Sequence, residues 1–407
     1  MNTLAQPNLD ASASRRYHGL DALRALAMML GVVLHVAMYF QESDPNFIWP
    51  ARDVERSPLA GLLVVMIHVF RMPVFFVMAG FFAAMLHQKR GTAGFAGNRF
   101  LRIAIPFIIG WFILFPLVKA SFGFAMIYAS GADLPTSLGM AVGGLVSEGL
   151  WSNPHPIHLW FLYYLLILYV CLMAIGLMLR MIPPLQQAWD RISTLVTRSR
   201  FRLPILVGAT FGLLCMMQGP TADTPDGFIP QPHILLYYGL YMIIGWAMWR
   251  NRQVIESLHR WCWLRFLSGL VVLLIATFLT IAYYIEMAES GWMSSNPVLF
   301  YVTQATVALS CWLIILGSIG LAERLMRRHH PVIRYLVDAS YWIYLAHLPL
   351  SIFIPACFRY WELDGTLKMF IMMVFVTIPL LLTWQLILGI MPSRRSDRPR
   401  CETSDDR

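Results

Sequence analysis

Residues 63–86 read LVVMIHVFRMPVFFVMAGFFAAML, an apolar run broken only by His68 and Arg71. A helix needs about 20 mainly apolar residues to cross bilayer hydrocarbon, so this stretch by itself reads as a membrane span. It also carries a penalty. An arginine this far from either end of a span must meet a carboxylate, backbone carbonyls or a polar cavity. His68 and Arg71 lie three residues apart on one helical face, and Pro73 loosens the backbone beyond them. Arg71 is therefore either a member of a structural ion pair or a contact for an anionic group, and spacing leaves both readings open. In either case the helices around it enclose something polar.

Outward from this stretch, the same pattern recurs. IAIPFIIGWFILFPLV (103–118) and LSGLVVLLIATFLTIAYY (267–284) are further runs of spanning character. The chain is 58% hydrophobic and 13% charged, where a soluble domain would hold roughly 25% charged residues. Open sheets cannot span a bilayer, because their edge N–H and C=O groups stay unpaired there. The expected fold is all-α, a polytopic transmembrane bundle. About ten spans are expected, near 20–40, 59–86, 103–124, 157–181, 203–219, 233–249, 264–285, 297–321, 332–354 and 367–391. One membrane domain, 16–392, is expected between polar, disordered tails at 1–15 and 393–407. A Gly-rich outer stretch within 125–156 is too interrupted to span and reads as a surface or re-entrant helix. The two halves show no internal repeat, so a signature of many secondary transporters is missing.

The net charge is +9. With a cytoplasmic N-terminus, 25 of the 31 Lys+Arg fall on cytoplasmic segments and five outside, with Arg71 left inside a span. The positive-inside rule then places both termini in the cytoplasm, and no nucleic acid is needed to account for the basic balance. No cleavable signal peptide is expected, since the flank before the first span is polar. The six cysteines are isolated singletons and read as small packing residues, with neither zinc nor disulfide spacing.

Other costly groups complete the inventory. Arg24 and His35 lie eleven residues apart, ~16 Å along a helix and on one face. Arg24 then sits at the cytoplasmic mouth and His35 near mid-bilayer, as a general base for a hydroxyl or as a helix-packing histidine. Arg99 and Arg102 share a face at the start of the third span. They suit phosphate oxygens, and equally suit ordinary positive-inside anchoring. NPHPIHLWFLYYL (153–165) opens the fourth span with His155, His158, Trp160, Tyr163 and Tyr164, either a sugar-stacking surface or an interfacial aromatic belt. YLVDASYWIYLAHLPL (335–350) places Asp338 inside the ninth span, with Tyr344 and His347 on one face further out. Asp338 is a candidate to neutralise Arg71.

Together these residues resemble the acyltransferase-3 family of integral membrane acyltransferases. Arg24 with His35 matches its arginine, ten residues, histidine signature. Arg99-Phe100-Leu101-Arg102 matches its arginine pair, and FFVMAGFF (75–82) is similar to its second-span block, with Ala79 in place of the usual serine. HVFRMPVFFVMAGFF (68–82), HLWFL (158–162) and DASYWIYLAHLPL (338–350) resemble more closely the branch that succinylates osmoregulated periplasmic glucans. The resemblance implies a bacterial inner-membrane O-acyltransferase moving an acyl group, succinyl or acetyl, from cytoplasmic acyl-CoA to a hydroxyl of an exported glycan. His35 would be the general base, or part of a proton relay, and Arg24 would be catalytic with it, on the cytoplasmic, acyl-CoA-facing side. Arg99 and Arg102 would hold the donor, and His68 and Arg71 would contact the acyl group or its oxyanion. His158, Trp160 and His347 would face the acceptor, while Ala79 removes one hydroxyl donor. No metal or redox cofactor is required, since acyl-CoA is a co-substrate. Membrane lipids and envelope-glycan biosynthesis proteins are the remaining partners expected. The competing reading is a transporter or flippase for a lipid-linked or anionic envelope precursor, with Arg71, His68 and Asp338 along its path.

Overall fold

The computed structural model describes residues 17–42, 49–290, 296–326 and 330–390. Among them there is no strand, and thirteen α-helices follow in order. They are α1 His18–Tyr39, α2 Pro58–Arg99, α3 Ile105–Ala129, α4 Leu134–Glu148, α5 Trp160–Met181, α6 Pro183–Arg198 and α7 Arg202–Leu214. After these come α8 Pro232–Arg250, α9 Gln253–His259, α10 Cys262–Glu289, α11 Pro297–Leu325, α12 Pro331–Cys357 and α13 Gly365–Ile390. The two terminal tails lie outside the described residues.

Each of the ten expected spans falls on a helix. Among the described residues, seven helical stretches are long and apolar enough to cross a membrane. One of them, Pro58–Ala129, runs through both α2 and α3. It is broken at Gly91, whose φ of 65° and ψ of −177° leave the helix, a conformation that costs glycine little. α7 is apolar but short. α8, which carries Tyr237, Tyr238, Tyr241, Trp246 and Trp249, is not among the seven. The Gly-rich outer stretch forms α4, capped by Asp133 accepting from the Thr136 amide at 3.2 Å.

Local chemistry explains the boundaries. Proline stands in the first turn of α2, α6, α8, α11 and α12, where its missing N–H costs nothing and its fixed φ suits a helix. Asn296 caps α11 by accepting from the Val298 and Leu299 amides. The amide of Leu20, in the first turn of α1, donates to the buried Glu323 carboxylate on α11 at 3.0 Å, so the positive end of one helix meets a carboxylate from another.

Three pairings organise the bundle: α10 with α11, α2 with α8, and α1 with α12. Gly80 and Gly245 make the second one close, because a Cβ on either would run into the partner helix's backbone at Met242 or Val77. Outward faces carry Ile109, Val170, Val271 and Leu382, at 55%, 61%, 60% and 61% exposure. So much bare apolar surface suits lipid contact rather than water.

Candidate active site

The site forms where α1, α2, the start of α5 and α12 meet. His35 lies four residues before the last residue of α1, so it sits nearer that helix end than the mid-span position expected. Its Nδ1 is 2.8 Å from Nε2 of His347 on α12. His347 Nδ1 lies 2.6 Å from the Tyr344 carbonyl and 3.1 Å from that of Ile343. Carbonyl oxygens only accept, so His347 carries its hydrogen on Nδ1 and a lone pair on Nε2. His35 must then donate from Nδ1, which leaves its Nε2 as a lone pair. This is the tautomer that a general base for a hydroxyl requires.

His158 completes a histidine triangle, its ring 5.0 Å from that of His347 and 6.4 Å from that of His35. It lies in the 3-10 turn Ile157–Leu159 that opens α5. Its Nε2 donates to the Leu345 carbonyl at 3.0 Å, and the Tyr344 hydroxyl donates to the His158 carbonyl at 3.0 Å. Both bonds hold the turn against α12. They leave His158 Nδ1 as a buried lone pair without a partner.

Arg71 faces the same three imidazoles. It is 4% exposed, and no ion pair among the described residues includes it. Its guanidinium lies against Gly31, within 3.1 Å of where a Cβ would stand, and His347 Nε2 lies 3.3 Å from the same point. Tyr344 and Tyr238 are the other polar side chains acting on it. A buried cation without a counter-charge is costly, and a site built this way is suited to a negative group. Asp338 is not its partner. That carboxylate pairs with Arg334 one turn earlier, at 2.8 Å and half exposed.

Other expected residues are distributed. His68 turns away from the triangle to the loop before α8, with Nε2 3.3 Å from the Ala222 carbonyl and 3.4 Å from the Thr224 hydroxyl. Trp160 is interior, 7% exposed and 5.6 Å from the Tyr238 ring. Tyr163 and Tyr164 anchor the same loop at Phe228 and Gln231. His155 is exposed. At the other end of α1, Arg24 pairs with Asp21 at 3.4 Å and lies over the Phe82 ring. Arg99 lies over Phe95 and Tyr169, and Arg24 also acts on Tyr169. Arg24 and Arg99 thus converge. Arg102 does not join them: it is exposed, because Phe100–Ala104 is a π-turn whose wider winding takes it off the face of Arg99. The Tyr341 hydroxyl reaches the Arg102 carbonyl at 3.2 Å and ties this turn to α12.

Comparison with known proteins bears on this arrangement. The family model described as an Acyltransferase domain, acyltransferase-3, matches residues 17–388. The chain belongs to this family. Two relatives from Escherichia coli strains, both named Glucans biosynthesis protein C, are 25% and 24% identical over 361 residues, covering 84% of this chain and 84% of each relative. No solved structure matches. The protein is a membrane acyltransferase, and the histidine triangle with Arg71 is its candidate catalytic centre. Sequence reading anticipated all four residues but not their union. It missed Trp49, which stacks on His35, and Gly31, which makes room for Arg71. Gly31 did carry a signal, one turn before His35 on the same face.

Proposed function

We propose that this acyltransferase moves a succinyl or acetyl group from cytoplasmic acyl-CoA to a hydroxyl of an exported glycan; the relatives' name favours a glucan, and the resemblance of residues 68–82 and 338–350 favours an osmoregulated periplasmic one. The observation that carries the chemistry is the 2.8 Å bond from His35 to His347, which leaves the His35 Nε2 lone pair for the acceptor.

The acceptor O–H gives its proton to His35 Nε2 while the oxygen attacks the thioester carbonyl. Arg71 stabilises the negative oxygen that develops, and in a succinyl donor it also suits the distal carboxylate. The C–S bond then breaks, the thiolate takes the proton from His35 Nε2–H, and an ester and free CoA leave. His158 Nδ1 is a second lone pair for a sugar hydroxyl. Arg24, ~16 Å along α1 from His35, and Arg99, which converges with it at Tyr169, suit the phosphates of a donor entering from the opposite end. The 25 of 31 basic residues on one side favour a bacterial inner-membrane topology with both termini cytoplasmic.

Against the transport reading, His68 bonds to a loop and Asp338 to Arg334. The test is donor turnover. Purified protein given acyl-CoA and glucan should release CoA, and His35→Ala should abolish release. Full turnover by His35→Ala would refute the mechanism. Mass spectrometry of envelope glycans with and without the protein identifies the acyl group and the acceptor.

A further inference from the structure

One buried ion pair has no part in the chemistry described so far. Lys368, in the first turns of α13, sits 2.7 Å from Asp53, and both side chains are 0% exposed. The same ammonium donates to the Arg359 carbonyl at 2.9 Å, just past the end of α12. Burial raises the Asp53 carboxyl above its ordinary value, with the Lys368 ammonium opposing.

Asp53 belongs to a described segment, 49–57, folded back over the end of α1. Its amide donates to the Tyr39 carbonyl at 3.0 Å, and that of Ser57 to Phe40 at 2.9 Å. The Ser57 and Thr366 hydroxyls lie 2.8 Å apart, which joins the segment to α13 a second time. At its other end Trp49, 4% exposed, lies nearly parallel to the His35 ring, 6.0 Å between centroids and 14° between planes. Phe122 of α3 also packs edge-on against Trp49, at 5.0 Å between centroids.

A buried ion pair adds little net stability over apolar residues of the same volume, because desolvation offsets the attraction. What it supplies is placement. Lys368 bonds the segment bearing Trp49 and the turn that follows the helix bearing His347, so it ties together the two elements that bracket His35. We infer that Lys368 is a positioning residue for acyl transfer, paired with Asp53 so that Trp49 stays flat against His35 and the imidazole keeps its direction. The inference rests on His35 as the base.

The experiment uses the purified full-length protein. Asp53→Leu with Lys368→Met replaces the pair by apolar groups and should keep the melting temperature. It should lower kcat about 10- to 100-fold, as expected for a shifted catalytic group, and leave the donor KM unchanged. Trp49→Leu alone should do the same, and adding it to the double variant should cost no more than about twofold further. Lys368→Arg should restore most of the turnover. Multiplicative losses, a change in KM only, or full turnover in the double variant would overturn the inference. A second readout does not depend on activity. Trp49→Cys should resist maleimide in the otherwise intact protein and react when Lys368→Met is added, with the modified peptide located by mass spectrometry. Unchanged reactivity overturns the positioning role even where His35→Ala behaves as proposed. If His35→Ala stays active, the mechanism fails while the labelling result still stands.

Discussion

Gly31→Ala puts a methyl group where the site has room for a hydrogen. The new Cβ would lie 3.1 Å from Arg71 Nη2 and 3.3 Å from His347 Nε2, whereas ordinary contact begins at about 3.4 Å. The guanidinium must therefore recede by about 0.3 Å and the imidazole by about 0.1 Å. A misplacement of ~1 Å costs roughly 100-fold in rate. Scaled logarithmically, a shift of about 0.3 Å costs roughly fourfold in kcat. Stability should move the other way or stay level. Alanine is favoured over glycine in a helix by up to ~1 kcal/mol, and the displaced atoms are the far ends of side chains. CoA release and thermal melting, measured on one preparation, separate the two effects. The expected result is a fourfold slower enzyme that melts no earlier. Full turnover with an unchanged melting temperature would show that Arg71 and His347 are not held at the reacting atoms as argued. A drop in melting temperature that accounts for the lost activity would reassign Gly31 to packing.

Further outcomes follow from the geometry. His347→Phe removes the acceptor that orients His35 and should lower kcat about 100-fold with little change in donor KM, read by steady-state CoA release. Arg71→Met should cost about 100- to 1,000-fold in kcat, as for loss of an oxyanion donor; Arg71→Lys keeps the charge but loses the fork, and should fall in between. Arg99→Ala should raise the donor KM more than Arg102→Ala, because only Arg99 converges with Arg24 at Tyr169, while Asp338→Asn should change stability by no more than ~1 kcal/mol, since its pair with Arg334 is half exposed.

Much of the fold was legible because bilayer thickness leaves a direct mark on sequence. A run such as 63–86 has one physical use, and all ten expected spans fall on helices. The candidate site was legible residue by residue, since His35 and Arg71 are expensive at depth and His158 and His347 stand out towards the outer ends of their spans. Their meeting was not. His35 and His347 are 312 residues apart and Asp53 and Lys368 are 315 apart, and periodicity reports only which face of its own helix a residue occupies. Asp338 illustrates the limit, because a carboxylate inside a span and an unpartnered arginine suggest each other, yet an arginine four residues away satisfied it. Arg102 shows another, since α-helical spacing put it beside Arg99 and a π-turn wound it away. No local residue pattern announces that extra residue in the turn.

The hydrogen on His347 Nδ1 points at backbone carbonyls of its own helix, and a peptide oxygen cannot keep a proton. The chain from His35 through His347 is therefore a cul-de-sac. Among the described residues, that chain gives a proton arriving on His35 Nε2 no onward conductor, and in the proposed reaction it leaves through the face by which it entered, to the departing sulfur. On this wiring each turnover is proton-neutral for the protein. If donor and acceptor meet from opposite sides of a membrane as proposed, the reaction would then draw nothing from the proton gradient between them, and collapsing that gradient should leave its rate unchanged.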